Sequence, residues 1–112
     1  MIEEHAPESK VAQKLELLAE LYRQGQASEM ATRTLNKLLA YEAETCRKQL
    51  QQLKADLSVF EQRYKISSAQ FYNRFQRGQT EDSMDFVEWA SIVQMARRLE
   101  KRLELLSAEE NK

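Results

Sequence analysis

Residues 39–64 read LAYEAETCRKQLQQLKADLSVFEQRY, and this stretch decides the fold. Its apolar side chains recur at alternating intervals of four and three residues: Leu39, Ala43, Cys46, Leu50, Leu53, Leu57, Phe60 and Tyr64. An apolar stripe that keeps strict heptad phase over this length predicts a coiled-coil helix. No glycine or proline interrupts residues 29–64, so we expect one long helix over that whole range.

A second heptad stripe lies near the C-terminus and comprises Trp89, Ile92, Ala96, Leu99, Leu103 and Leu106. It predicts a helix from about residue 84 to 107, which a connection of about 20 residues joins to the long helix. We therefore expect an all-α fold in which the long central helix and the C-terminal helix form an antiparallel coiled-coil hairpin. In the one register that matches every layer, Phe60 faces Trp89 and Cys46 faces Leu103. The same register brings Arg63 opposite Glu88.

Capping signals predict two further helices. Ser9 and Gly25 are typical of the start and end of a first helix over about 10–24, and Ser28 is a cap for the long helix. A short helix over about 68–77, capped by Ser67 or Ser68 and ended by Gly78, is expected at the bend of the hairpin. We interpret residues 9–107 as a single helical domain, with residues 1–8 and 108–112 as disordered tails.

Aromatic residues crowd around the predicted bend. The stretch FYNRFQRGQTEDSMDFVEW, residues 71–89, holds five of the chain's nine aromatic side chains, among them the only Trp. Phe60 and Tyr64 end the long helix at the same place. Aromatic rings bury a large area each, so this cluster is suited to plug the open end of a two-helix coil. The alternative interpretation is a ligand pocket.

Composition argues against several function classes. The net charge is −1 and the sequence pI is about 5.9, so there is no global basic footprint for nucleic acid or anionic lipid. Basic residues cluster at 97–102, but Glu100 and Glu104 interleave with them, which is typical of a solvated helix face. The single cysteine, the absence of a signal peptide and the absence of a membrane span favour a cytoplasmic protein.

Catalytic and metal-binding patterns are also missing. His5 is the only histidine and lies in the predicted tail, so no zinc constellation can form. Cys46 occupies a core position of the heptad stripe, which favours a packing role over a nucleophilic one. No glycine-rich phosphate loop occurs. We therefore expect a non-enzymatic protein with no cofactor and no metal.

With these function classes disfavoured, we expect the chain to act through a surface that binds a protein partner. The long helix outruns its antiparallel partner, which leaves Leu35, Leu38 and Tyr41 without complete cover unless the first helix packs there. The first helix carries Leu17 and Leu21 beyond its own contact stripe. Two such hairpins packed about a two-fold axis would form a four-helix bundle, so we expect a homodimer. The same residues are equally suited to a different protein partner.

The order of motifs resembles a known family. LELLAELYRQG and RTLNKLLAYE precede the coiled coil, which ends FEQRYKISSAQFYNRFQRG; DSMDFVEWASI and RRLEKRLELL follow. Over residues 14–106 this is similar to small helical prokaryotic proteins of the antitoxin type, encoded beside compact toxin-like partners. The chain departs from that pattern at YKISS, because a glycine after the tyrosine is common in the family.

The resemblance implies a protein that binds and neutralises a small toxin of the ribonuclease type. It carries no catalytic residues to transfer and does not say which surface meets the toxin. A second hypothesis is a coiled-coil adaptor or oligomerisation protein with no toxin partner. A third, a DNA-binding regulator, is disfavoured by the acidic pI.

Overall fold

The computed structural model describes the backbone of residues 7–110 and the side chains of residues 7–108. Four helices follow one another: α1 Pro7–Arg23, α2 Glu29–Tyr64, α3 Ser68–Gln76 and α4 Met84–Glu110. No strand occurs between residues 7 and 110. The all-α prediction and the packing of the long helix against the C-terminal helix are confirmed.

Helix α2 has the predicted bounds, whereas α1 and α4 are longer than expected. Helix α1 begins at Pro7, because proline fits the first helical position, where its missing N–H would have no partner anyway. Ser9 therefore lies inside the helix and is not its cap. Helix α4 continues through residues 108–110, which we had expected to fray. Residues 1–6 and 111–112 of the predicted tails lie outside the described range.

The chain divides into two compact units between Leu38 and Leu39. Unit 1 contains α1 and the first ten residues of α2; unit 2 contains the rest of α2 with α3 and α4. The predicted single domain over 9–107 stays a prediction, and each unit is described by itself.

Unit 1 is a helical hairpin whose turn is built as its capping residues predict. Gly25 adopts the left-handed φ of +69°, and its N–H donates to the carbonyl of Tyr22 at 3.0 Å. The next amide, of Gln26, donates to the carbonyl of Leu21 at 2.8 Å, which completes a glycine-dependent helix end. Ser28 then caps α2 by accepting from the amide of Ala31 at 3.0 Å.

One side-chain hydrogen bond ties the two helices of unit 1 together. The hydroxyl groups of Tyr22 and Thr32 lie 2.7 Å apart. The bond crosses the hairpin near its turn, where the loop already holds the helices close. It orients the two helices without covering the apolar side chains farther along α1.

Unit 2 is built on the antiparallel pairing of α2 with α4. At the bend, the rings of Phe60 and Trp89 stack with centroids 5.4 Å apart, as the predicted register requires. Farther along, the Cys46 thiol donates to the carbonyl of Leu99 at 3.2 Å. Because a helical carbonyl points toward the residue four positions later, this contact brings Cys46 level with Leu103, its predicted partner.

The connection between α2 and α3 is tight and partly strained. Lys65 closes α2 with a left-handed φ of +62°, a conformation that glycine adopts without a Cβ penalty. The Ser67 hydroxyl caps α3 by accepting from the amide of Gln70, and a Glu61 carboxylate oxygen accepts from the amide of Ser68 at 2.9 Å. These caps satisfy amides that a helix start would otherwise leave unpaired.

Glycine and serine also define the α3–α4 connection. Gly78 takes a φ of +71° after α3, and the following amide, of Gln79, donates to the Arg74 carbonyl at 2.9 Å. Ser83 caps α4 through the amide of Phe86 at 3.1 Å. Both helix ends therefore use residues that the sequence marks for those positions.

Candidate protein-interaction surface

The aromatic residues at the bend of unit 2 form one packed group, here called the closed-end cluster: Phe60, Tyr64, Phe71, Tyr72, Phe75, Phe86 and Trp89. Trp89 lies at its centre with 0% of its surface exposed. Phe71 stacks on its indole with centroids 3.9 Å apart and planes within 2°. The indole N–H donates to the Ser68 hydroxyl at 2.9 Å, so the one polar atom of Trp89 is paired.

This geometry supports the plug interpretation of the aromatics over the pocket interpretation. The Trp89 ring has Phe71 as a direct stacking partner and Phe60 and Tyr64 within 5.7 Å. Its surface is fully covered by the chain itself. The closed-end cluster is thus the core of unit 2.

A carboxylate at the start of α4 joins this cluster to α2. Asp85 accepts from the Tyr64 hydroxyl at 2.6 Å and from the Arg63 guanidinium at 2.8 Å, both through Oδ2. These two donors, the hydroxyl first, lower the pKa of Asp85 below its ordinary value. The same hydrogen bond raises the pKa of Tyr64. The prediction that Arg63 faces Glu88 is wrong, because Asp85, which already receives the Tyr64 hydroxyl, is the acid that meets the guanidinium.

Unit 1 differs sharply from this picture, because α1 contains no buried residue. Large apolar side chains on both of its helices remain exposed; together they are called the hairpin surface: Val11, Leu15, Leu17, Leu21, Tyr22, Met30 and Leu38. Leu17 and Met30 are the most open, with 68% and 71% of their surface exposed. Contiguous exposed apolar side chains mark interaction sites more often than isolated ones do.

The five sequence-predicted interaction residues have different environments. Leu17, Leu21 and Leu38 are exposed members of the hairpin surface. Leu35 is half-buried, so it contributes less surface than expected. Tyr41 is 66% exposed and belongs to unit 2. Their role in binding stays a prediction.

Sequence reasoning assigned Val11, Leu15 and Tyr22 to the packing stripe of α1 and so missed them as surface residues. In the structure all three are exposed. The sequence offered no signal for this exposure, because the spacing of apolar residues along α1 is the same whether the stripe is packed or open. A stripe of correct periodicity shows which face is apolar but not how completely a partner covers it.

Two surface depressions lie on α4 of unit 2. The larger, of about 690 Å³, has an apolar floor of Leu53, Met95 and Leu99 between glutamines of α2 and arginines of α4. The smaller, of about 360 Å³, is lined by Tyr72, Gln94, Arg97, Arg98 and Lys101. Both are shallow features of the helix surfaces.

The basic residues of α4 have identifiable neighbours. The Arg97 guanidinium lies 4.6 Å from the centroid of the Tyr72 ring, and the Tyr72 hydroxyl accepts from the Gln94 amide at 3.0 Å. Arg102 forms an ion pair with Glu42 of α2. A part of this basic stretch therefore serves contacts within unit 2, and the expectation that it does not bind nucleic acid stays a prediction.

The cysteine, possible metal ligands and membrane-spanning character can each be checked in the described part of the chain. Cys46 is 1% exposed and its thiol is engaged with the Leu99 carbonyl, so it packs inside unit 2 as predicted. Residues 7–110 contain no group of three or more His, Cys, Asp or Glu side chains arranged to hold a metal ion. In the same range, no helix combines the length and the apolar character that crossing a membrane requires.

Comparisons with known proteins add no assignment. The chain matches no protein-family model, no curated protein and no solved structure. The functional argument therefore depends on the hairpin surface and on the motif resemblance.

Proposed function

We propose that this chain is a non-enzymatic protein-binding module of the antitoxin type, which binds and neutralises a small toxin-like protein in the cytoplasm. The hairpin surface carries the proposal. When a partner covers the apolar side chains exposed on two neighbouring helices, their surface is removed from water. This removal stabilises the complex by about 25 cal/mol per Å² of apolar surface. A protein that keeps such a surface open has a docking function for it.

Neutralisation in this proposal is steric. The module has no reaction to perform, so it acts by occupying the toxin and keeping substrate away from it. The exposed side chains are aliphatic for the most part, with Met30 adding a flexible and polarisable contact. Binding would depend on apolar burial, and its affinity would change little with salt.

The motif resemblance supports the choice of partner class. It covers residues 14–106, and its segment LELLAELYRQG is part of α1, which carries much of the hairpin surface. A competing function is a coiled-coil adaptor, which the heptad pairing of α2 with α4 favours. The two functions differ in whether a small companion protein binds and loses its toxicity.

Co-expression with the product of the neighbouring gene tests the proposal. We expect a tagged chain to retain that product through purification and to relieve the growth arrest that it causes alone. Leu17→Asp combined with Leu21→Asp should abolish both effects, because two charges would be placed in an apolar interface. Val59→Asp combined with Leu105→Asp, at exposed apolar positions of unit 2, is the matched control and should preserve both. If the product of the neighbouring gene neither binds this chain nor arrests growth, the antitoxin proposal is wrong and the coiled-coil adaptor function replaces it.

A further inference from the structure

The hairpin surface is too large and too divided to be served by a single groove. A helix that docks into a groove presents one stripe of anchors at i, i+3 or i+4 and i+7. Here the exposed side chains lie on two helices, with Leu17 and Leu21 on α1 and Met30 and Leu38 on α2. Two neighbouring helices that both expose apolar side chains are matched by a second such pair, as in a four-helix bundle.

The area agrees with that geometry. At roughly 150–200 Å² for a large side chain, near the lower end for aromatic residues, the exposed fractions of the hairpin surface correspond to at most roughly 550–750 Å² per chain, when every member is covered. Two such faces would remove about 1,100–1,500 Å² from water, which reaches the range of stable interfaces, about 1,200–2,000 Å² in total. One hairpin surface is therefore the right size to cover another.

Charge also permits two copies to meet. Residues 7–38 contain five Lys or Arg against four Glu, with both signs distributed along α1 and the start of α2. A surface of nearly zero net charge does not repel its own copy, whereas a strongly charged one would select a partner of opposite sign. Lys10 and Lys14 lie nearer the start of α1 than Glu16 and Glu20, so an antiparallel arrangement brings unlike charges together, although Glu20 also pairs with Arg23 of its own helix.

The weakness of unit 1 alone points the same way. A helix of 17 residues is marginal in water unless an apolar face is buried, and α1 has no buried residue. The Tyr22–Thr32 hydrogen bond is an exposed contact and cannot supply the missing stability. We propose that a second copy of this chain covers the hairpin surface, so that two units 1 form a two-fold-symmetric four-helix bundle.

This inference deepens the proposed function, because it uses the same surface and names its first occupant. A companion protein then binds either the assembled bundle or the hairpin that is released from it. The homodimer is measured on the purified chain alone, whereas neutralisation is measured with the companion. A negative result in one of these two measurements therefore does not affect the interpretation of the other.

Sedimentation equilibrium of the full chain tests the bundle. We expect twice the chain mass of 13.2 kDa at tens of micromolar. Leu17→Gln combined with Met30→Gln keeps helix propensity but removes two apolar contacts, each of which counts twice in a symmetric dimer. The dissociation constant should rise about 100-fold or more.

The matched control is Met84→Gln combined with Leu105→Gln, since these unit 2 residues are 82% and 78% exposed. This control should leave the dissociation constant unchanged. Emission of the buried Trp89 reports whether unit 2 remains folded in both variants. A monomeric mass for the wild-type chain, an unchanged constant in the unit 1 variant, or an equal loss in the control would each overturn the bundle.

Discussion

Unit 1 and the closed end of unit 2 are both built from amphipathic helices. The apolar side chains are exposed in unit 1 and buried at the closed end. At the closed end, an indole with no exposed surface is stacked between rings and has its N–H paired. In unit 1, a 17-residue helix buries none of its side chains. The difference shows that apolar periodicity alone does not make a core; a core also needs a partner surface that covers the stripe. Unit 2 has that surface within the chain, whereas the apolar side chains of α1 stay exposed.

The largest expected effect comes from removing the centre of the closed end. Trp89→Ala should lower the free energy of unfolding by about 3–5 kcal/mol, because it empties a fully buried site among aromatic rings. Leu17→Ala, at an exposed position of unit 1, should change the free energy of unfolding by less than about 0.5 kcal/mol in the monomer. Urea unfolding followed by circular dichroism measures both. Similar losses for the two variants would remove the contrast between the units.

Hydrogen exchange sharpens the same comparison. Backbone amides of α1 should exchange about 100-fold faster than those of α4 around Ala90 to Val93 when the protein is dilute, because local opening of α1 exposes little buried surface. Protection of α1 should rise with protein concentration while that of α4 stays constant. Equal protection of the two helices in dilute solution would show that unit 1 is stable alone.

A smaller and stabilising effect is expected at the end of α2. Lys65 adopts a left-handed φ of +62°, which costs a residue with a Cβ about 1–2 kcal/mol. Lys65→Gly should therefore raise the free energy of unfolding by about 0.5–1 kcal/mol, after allowance for the greater entropy of glycine in the unfolded chain. Lys65→Ala keeps the Cβ and is the control for loss of the charged side chain. A destabilised glycine variant would contradict the assignment of strain to this position.

The smallest effect concerns pH. The folded chain holds the pKa of Asp85 below its ordinary value, mainly through the Tyr64 hydroxyl and then Arg63. The stabilisation is present above the unfolded pKa of about 3.9 and is lost as pH falls through the lower folded value. Asp85→Asn should flatten this part of the stability curve below about pH 4. An identical acid limb in the variant would show that Asp85 makes no contribution.

The helical parts of the fold were predictable because their signals are local. Heptad phase indicated α2 and α4 and their pairing at Phe60 and Trp89, and Gly25, Ser28 and Gly78 marked helix ends that the structure confirms. The start of α1 at Pro7 was missed because a nearby serine offered a stronger capping signal. The acidic partner of Arg63 was predicted wrongly, because a long side chain can reach more than one turn of the facing helix.

The candidate surface was only partly predictable. Leu17, Leu21 and Leu38 stood out as apolar residues in excess of one stripe, and the structure leaves them exposed. Exposure of Val11 and Tyr22 was missed, since periodicity shows which face of α1 is apolar but not how completely α2 covers that face. The groove above Leu53 and Leu99 depends on the spacing of two helices, which periodicity does not fix.

The hydrogen bond from the Ser68 amide to Glu61 has a consequence for the order of folding. It joins residues seven positions apart, and the Phe71–Trp89 stack joins residues 18 apart along the chain. The Cys46–Leu99 and Glu42–Arg102 contacts close much longer loops. Because loop closure costs more entropy as the loop lengthens, we expect the corner between α2 and α3 to nucleate first. The contacts between α2 and α4 would then form in order from Phe60 toward Glu42. During synthesis, the closed end would therefore assemble as soon as Trp89 is available.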